Sequence, residues 1–416
     1  MNAPERDRHF ATHPAPAGDR MSRGEFIALT AAMMALTALS VDVMLPALPA
    51  IGHALGITND NDQQIIIISY MLGFSIGQLA YGRLSDRYGR KPVLLCGMAI
   101  FIVGSLAASL TESYINLLVA RTVQGLGAAA PRVIAIALVR DRYVGREMAR
   151  VMSFAMAVFI IIPVLAPTIG QGLLHVGTWR VLFDFLSAAG VAVALWSGLR
   201  LPETIRTGTG EPLPLGEAVR YALETPQTIG YALAGGMVFG CVLSYVASAQ
   251  QVFVNVFGLG ERFPFAFAAT ALMIAVASLT NAMLVARFGM RRLSHTSLAV
   301  FVVVSALLVA AVPLGWASFP LFIGLMMPLF FLFGLIAPNF NALAMEPQGD
   351  NAGMASSVVG FASTGVGALA GGIVGHLFDG TVLPLALGFL CLALLAFGIV
   401  AWVEGPQGLF HSGRQV

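Results

Sequence analysis

Stretches of about 20 apolar residues recur along this chain from end to end, and a helix of that length crosses the hydrocarbon core of a bilayer. They lie at 26–48, 62–82, 92–110, 114–137, 150–173, 179–200, 228–254, 264–286, 293–313, 317–338, 353–377 and 381–403. In lipid, backbone polar groups must be bonded within their own segment, so an all-α membrane protein with twelve transmembrane helices is expected. Only 11% of the 416 residues are charged, against about 25% in soluble proteins. That is too little charge to coat a large soluble enzyme.

The polar tail before Phe26 has no cleavage signal, so the first span is read as retained. An even number of spans puts both termini on one side. Of the 23 Lys and Arg, 19 fall in the tails and even-numbered loops, and only Arg180 and Arg262 fall in the opposite loops. This bias predicts cytoplasmic termini in a plasma (inner) membrane of bacterial type. Trp179, Trp196, Trp316 and Trp402 fall near span ends, as interfacial aromatics do. Cys96, Cys241 and Cys391 lie in apolar runs without metal spacing and are read as small buried hydrophobes. A net charge of +2 gives no reason to expect nucleic acid, and we expect a monomer in the lipid bilayer.

The loop after the second span reads GRLSDRYGRK, residues 82–91, and concentrates five charges. Gly89 permits a turn with positive φ. Gly82 permits close helix approach. Asp86 is placed either to accept hydrogen bonds from a helix N-terminus or to pair with Arg90, and Arg87 lies between them. The series Leu84, Arg87, Tyr88, Gly89, Lys91 returns as Leu284, Arg287, Phe288, Gly289, Arg291, an offset of 200 at each position. The chain therefore divides into a cytoplasmic tail (1–25), a six-helix bundle (26–200), a cytoplasmic linker (201–227), a second six-helix bundle (228–403) and a final tail (404–416). Such repeats belong to secondary transporters whose halves rock about a midplane site.

Ionisable side chains within spans are costly and mark function. Asp42 lies about 9 Å, and Arg121 about 10 Å, inside the same face of the first half. Arg132 shares a helix face with Arg121, some 16 Å deeper. It is read either as lining the inner cavity, where it would attract anionic groups, or as snorkelling. Asp184 is expected to pair with Arg180 at i, i+4, or else to rival Asp42 as the partner of Arg121. Pro163, Pro167, Gly170 and Gly172 are expected to bend and interrupt the fifth span. The second half carries no Asp, Glu, Lys or Arg deep in a span and is read as a mostly apolar wall. Tyr245, Gln250, Asn255, Asn281, Asn339 and Phe361 are its candidate cavity residues.

GRLSDRYGRKPVLL resembles the loop 2–3 signature of the major facilitator superfamily. ARTVQGLG (120–127) resembles its span 4 motif, with Arg121 as the basic residue. PVLAPTIGQGL (163–173) resembles the span 5 antiporter motif. VDVMLPALPAI (41–51) and LPET (201–204) resemble the Bcr/CflA group of twelve-span drug/proton antiporters. The resemblance implies that Asp42 and Arg121 form a proton-coupling pair. It implies that Gly82, Asp86, Arg87, Gly89 and Arg90 act as a latch between the halves, and that Pro163, Pro167 and Gly170 shape a span for exchange rather than uniport.

The combined expectation is a multidrug efflux antiporter that exports small, largely apolar compounds against protons, or alternatively a proton-coupled metabolite importer of the same fold. No phosphate-binding GxxxxGK[ST] loop occurs, and no catalytic or metal constellation occurs. Neither enzyme activity nor any cofactor besides the coupling proton is expected.

Overall fold

The computed structural model describes residues 21–203, 215–315 and 318–408. Arg6, Arg8, Arg20, Arg206, Trp316, Arg414 and linker residues 204–214 lie outside them. The described residues are 89% helical and include no strand. Twelve helical segments, from Arg23–Ala54 to Leu383–Gly405, are long and apolar enough to cross a membrane.

Span 1 consists of α1 (Arg23–Asp42), a 3-10 turn (Leu45–Ala47) and α2 (Leu48–Ala54). The first half continues with α3 (Ile65–Tyr88), α4 (Arg90–Leu110), α5 (Tyr114–Arg142), α6 (Gly145–Leu174) and α7 (Arg180–Arg200). A short helix, α8 (Leu215–Glu224), occupies the connection. The second half comprises α9 (Pro226–Gln250), α10 (Phe263–Phe288), α11 (Met290–Ala311), α12 (Phe319–Met345), α13 (Ala352–His376) and α14 (Leu383–Gly408).

Local sequence explains the main boundaries. The Ser22 side chain accepts a hydrogen bond from Glu25 N and caps α1, satisfying one of the orphan donors at a helix start. Pro46 and Pro49 lack the N–H that a continuing helix needs, so span 1 breaks just after Asp42. The sequence reading ran this span straight through. The reverse holds for span 5, where α6 runs unbroken through Pro163 and Pro167. At the end of α9 the helix widens into a π-turn over Gln251–Val256. The 3-10 turn of span 1 packs against α9, the first helix of the second half.

The repeat is visible in packing as well as sequence. Pairs α3/α5, α4/α5, α4/α7, α1/α6 and α1/α5 in the first half correspond to α10/α12, α11/α12, α11/α14, α9/α13 and α9/α12 in the second. The halves meet along α3/α13 and α6/α10. Gly89 and Gly289 end equivalent helices with φ of +97° and +78°, a region that glycine occupies without steric cost. Two cysteines depart from expectation. Cys241 is buried, but Cys96 and Cys391 are exposed on helix surfaces, where an apolar thiol is at home against lipid.

Candidate proton and substrate site

The break in span 1 positions the candidate acid. Asp42 ends α1 and is 5% exposed. Its Oδ1 is buried and has no hydrogen-bond partner. Gly170 of α6 packs directly on this break: a Cβ there would stand 1.9 Å from Val43 O and 3.1 Å from Pro46 Cγ. Gly172, two residues on, would place a Cβ in open space. Only one of these two motif glycines is therefore demanded by contact.

Arg121 is fully buried on α5. Its Nη1 and Nη2 donate to Ser40 O at 3.3 Å, its Nε donates to Ile66 O at 3.3 Å, and Nη1 also donates to Gln124 Oε1. Gln124 Nε2 donates onward to Ser105 Oγ at 2.8 Å. The guanidinium lies 4.4 Å from the Tyr70 ring centroid and 5.8 Å from that of Phe183. No salt bridge joins Arg121 to Asp42 among the ion pairs of the described residues. The two residues that the family resemblance pairs make no direct ion pair in this state. Arg121 instead holds the α1 carbonyl two residues before the acid. Helix carbonyls can take up a buried guanidinium's donors, and Asp42 lies two residues beyond the carbonyl that does so, without bonding the cation itself.

Arg132 is half-buried on the same helix. Its guanidinium sits 4.8 Å from the Phe159 centroid and 5.6 Å from that of Phe74. The expected Arg180–Asp184 pair does not form. Arg180 Nη2 donates to Thr111 O at 2.9 Å and stacks on Trp179, while Asp184 accepts from Ser109 Oγ at 2.5 Å. Asp184 lies on an exposed helix face and makes no ion pair with Arg121.

The charge-dense loop is a compact network within the first half. Arg90 donates to Asp86 Oδ1 at 2.5 Å, to Ser85 Oγ at 2.7 Å and to Asp141 Oδ2 at 2.9 Å. Glu203 accepts from Arg90 N at 2.9 Å and Lys91 N at 3.1 Å, so the glutamate of LPET caps α4 with a negative charge at its positive end. Arg87 is exposed and lies against the Tyr88 ring. The contact that crosses the halves here is Gly82, where a Cβ would stand 2.4 Å from Ser357 Oγ. The second half repeats the charge cluster: Arg291 binds Glu346 at 2.6 Å and Glu404 at 2.9 Å. Tyr231 OH donates to Glu404 at 2.5 Å and contacts the fully buried His295 at 2.8 Å.

Most second-half cavity candidates are packing residues. Tyr245 is 1% exposed, lies 2.7 Å from Thr270 Oγ1 and packs among Phe253, Phe267 and Phe330. Asn339 donates to Asn281 Oδ1 and Leu335 O, both at 2.7 Å. Gln250 is buried, whereas Asn255 and Phe361 are exposed.

Sequence reasoning missed Asp141, Glu203 and His295, and also the hydrogen bonds between halves. Among the described residues these bonds gather at the end away from the termini. Asn61 Nδ2 donates to Phe378 O at 2.7 Å and His376 O at 2.9 Å, Gln251 Nε2 donates to Asn61 Oδ1 at 3.0 Å, and Gln64 donates to Gln251. Gln78 to Thr364 Oγ1, at 2.8 Å, lies further toward the termini. The readable signal was the Asn-Asp-Asn-Asp-Gln-Gln run at 59–64, a cluster of amides at the mouth of an apolar span.

Two pseudo-equivalent six-helix halves, meeting along two helix pairs and carrying a buried acid at a broken helix, define a membrane transporter of the alternating-access class. The Major Facilitator Superfamily profile matches residues 30–372. The chain is 30% identical over 348 residues to "Multidrug resistance protein MdtL" of Klebsiella pneumoniae subsp. pneumoniae, covering 81% of this chain and 85% of that protein. It is 28% identical over 367 residues to "Bicyclomycin resistance protein homolog" of Haemophilus influenzae, covering 86% and 91%. The solved structure of the xylose transporter XylE from E. coli, in a partially occluded inward-open conformation, shares the fold at TM-score 0.69 and 13% identity, over 92% of this chain and 97% of that one. The chain belongs to the Major Facilitator Superfamily and is a multi-pass membrane protein.

Proposed function

We propose that this protein exports small drug-like compounds in exchange for protons. Asp42 exchanges the proton and Arg121 senses its charge. The observation that carries this reading is a buried carboxyl at the break in span 1, with one oxygen unbonded, two residues beyond the carbonyl that holds Arg121. An ionised carboxylate cut off from donors is expensive to bury, so each protonation change favours a different arrangement of α1 and α5. Similarity to proteins named for bicyclomycin and multidrug resistance supports drug-like cargo.

The Lys and Arg distribution supports cytoplasmic termini. On that orientation the hydrogen-bonded end is the outer one, and the Gly82–Ser357 contact lies at the inner one. We further propose that the protein works as a monomer and uses no cofactor beyond the proton. The Arg90 and Arg291 networks brace the cytoplasmic helix ends within each half, and Gly82 against Ser357 is the contact that a latch would use. The test is efflux of a fluorescent drug panel from an efflux-deficient host and uptake into inverted membrane vesicles. Proton-driven accumulation in the vesicles is expected. Accumulation only in right-side-out vesicles would assign import instead.

A further inference from the structure

Arg132 is a cation inside a membrane bundle that no ion pair among the described residues holds. Among the described residues it makes no hydrogen bond and no ion pair, and its recorded contacts are the faces of Phe74 on α3 and Phe159 on α6. A guanidinium held against aromatic faces keeps its edge, and the N–H fork on that edge, free. Arg121 differs in this respect, because its donors go to Ser40 O, Ile66 O and Gln124. The two arginines lie on one aromatic ladder: Tyr70 stacks on Phe74 at 6.2 Å, Arg121 sits on the first ring and Arg132 on the second.

The two rings come from the helices that meet the other half, α3 against α13 and α6 against α10. Ser75, next to Phe74, reaches within 3.4 Å of where a Cβ of Gly365 on α13 would be. The clamp therefore borders the seam between the halves. Arg132 itself is half-buried rather than sealed, so part of the side chain is open.

We propose that Arg132 is a substrate-recognition residue for amphipathic organic anions, aromatic compounds bearing a carboxylate or sulfonate. The free fork of the guanidinium binds the planar or tripodal anion with paired N–H donors. Phe159, itself half-buried, offers apolar surface to the attached ring system. This rests on the transporter reading and refines it, because the expected cargo is then not only apolar.

The test uses the purified full-length protein in detergent and two fluorescent probes of one ring system. Anilinonaphthalene sulfonate carries the anion and N-phenylnaphthylamine does not. For Arg132→Gln we expect the affinity for the sulfonate to fall roughly tenfold while the neutral probe changes less than about twofold, the loss of one charge-assisted bidentate contact. For Arg132→Lys, which keeps the charge but not the fork, the sulfonate should bind at an intermediate strength. Equal weakening of both probes, or unchanged sulfonate binding in a monodisperse variant, overturns the proposal. If Arg132→Gln does not fold, Arg132→Lys carries the test alone, and wild-type sulfonate affinity in it overturns the proposal. Binding is read without a proton gradient, so a failure of drug export in cells bears on the proposed function and not on this site.

Discussion

Gly170 and Gly172 look alike in sequence and differ sharply in surroundings. A methyl on Gly170 would stand 1.9 Å from Val43 O, so the helices must separate by roughly 1.5 Å to restore a van der Waals contact. The atom struck is backbone, at the first residue after Asp42, and it cannot swing aside as a side chain would. Overpacking of this kind costs about 1–3 kcal/mol. At roughly 2–4 °C per kcal/mol for a unit the size of one half, a Gly170→Ala protein should melt several degrees lower. It should also transport less, because the displaced segment carries the candidate acid. A Gly172→Ala protein meets nothing within 4 Å and gains helix propensity of up to about 1 kcal/mol. Its melting point should hold or rise, with wild-type efflux. The assay is fluorescence-detected thermal unfolding in detergent beside efflux in cells. Equal behaviour of the two variants would refute the packing argument.

The Glu203 cap predicts that Glu203→Ala lowers stability by about 0.5–2 kcal/mol and loosens the start of α4. Hydrogen exchange at Arg90 and Lys91 should rise, and unchanged protection there would remove the cap from the account. Tyr245 is a core residue in the structure, so Tyr245→Phe should cost about 1 kcal/mol from the lost Thr270 hydrogen bond and leave the range of exported compounds as it was. An altered range would return Tyr245 to the cavity.

The span count and the 200-residue repeat were legible because they depend on length, hydropathy and charge, which a sequence states directly. The ends of α3 and α10 were legible for a similar reason, since Gly89 and Gly289 are residues that a positive φ selects. The break after Asp42 was written in Pro46 and Pro49, but the apolar run around them masked it. Pro163 and Pro167 carried the same signal, yet α6 stays continuous, so proline alone does not separate a bend from a break. The Asp42–Arg121 relation was legible only in depth along the membrane normal. Depth leaves the azimuth open, and the carbonyl of Ser40 won the guanidinium. Arg180 and Asp184 satisfied the i, i+4 rule but found Thr111 O and Ser109 instead. For Tyr245 and Asn339, a polar group in an apolar helix signals only that it needs a partner. Both found that partner within the second half. Glu203 and Asp141 lie 113 and 51 residues from Arg90, and no local pattern joins them.

If Asp42 exchanges the proton as proposed, occupation of the pathway and protonation of Asp42 exclude each other. The most direct measurement is proton release from the purified protein in weakly buffered detergent solution, on addition of a compound found to be exported, for wild type beside Asp42→Asn. Release in step with binding is expected for the wild type and none for the variant, with the compound still bound. Undiminished release from a folded Asp42→Asn protein would contradict it.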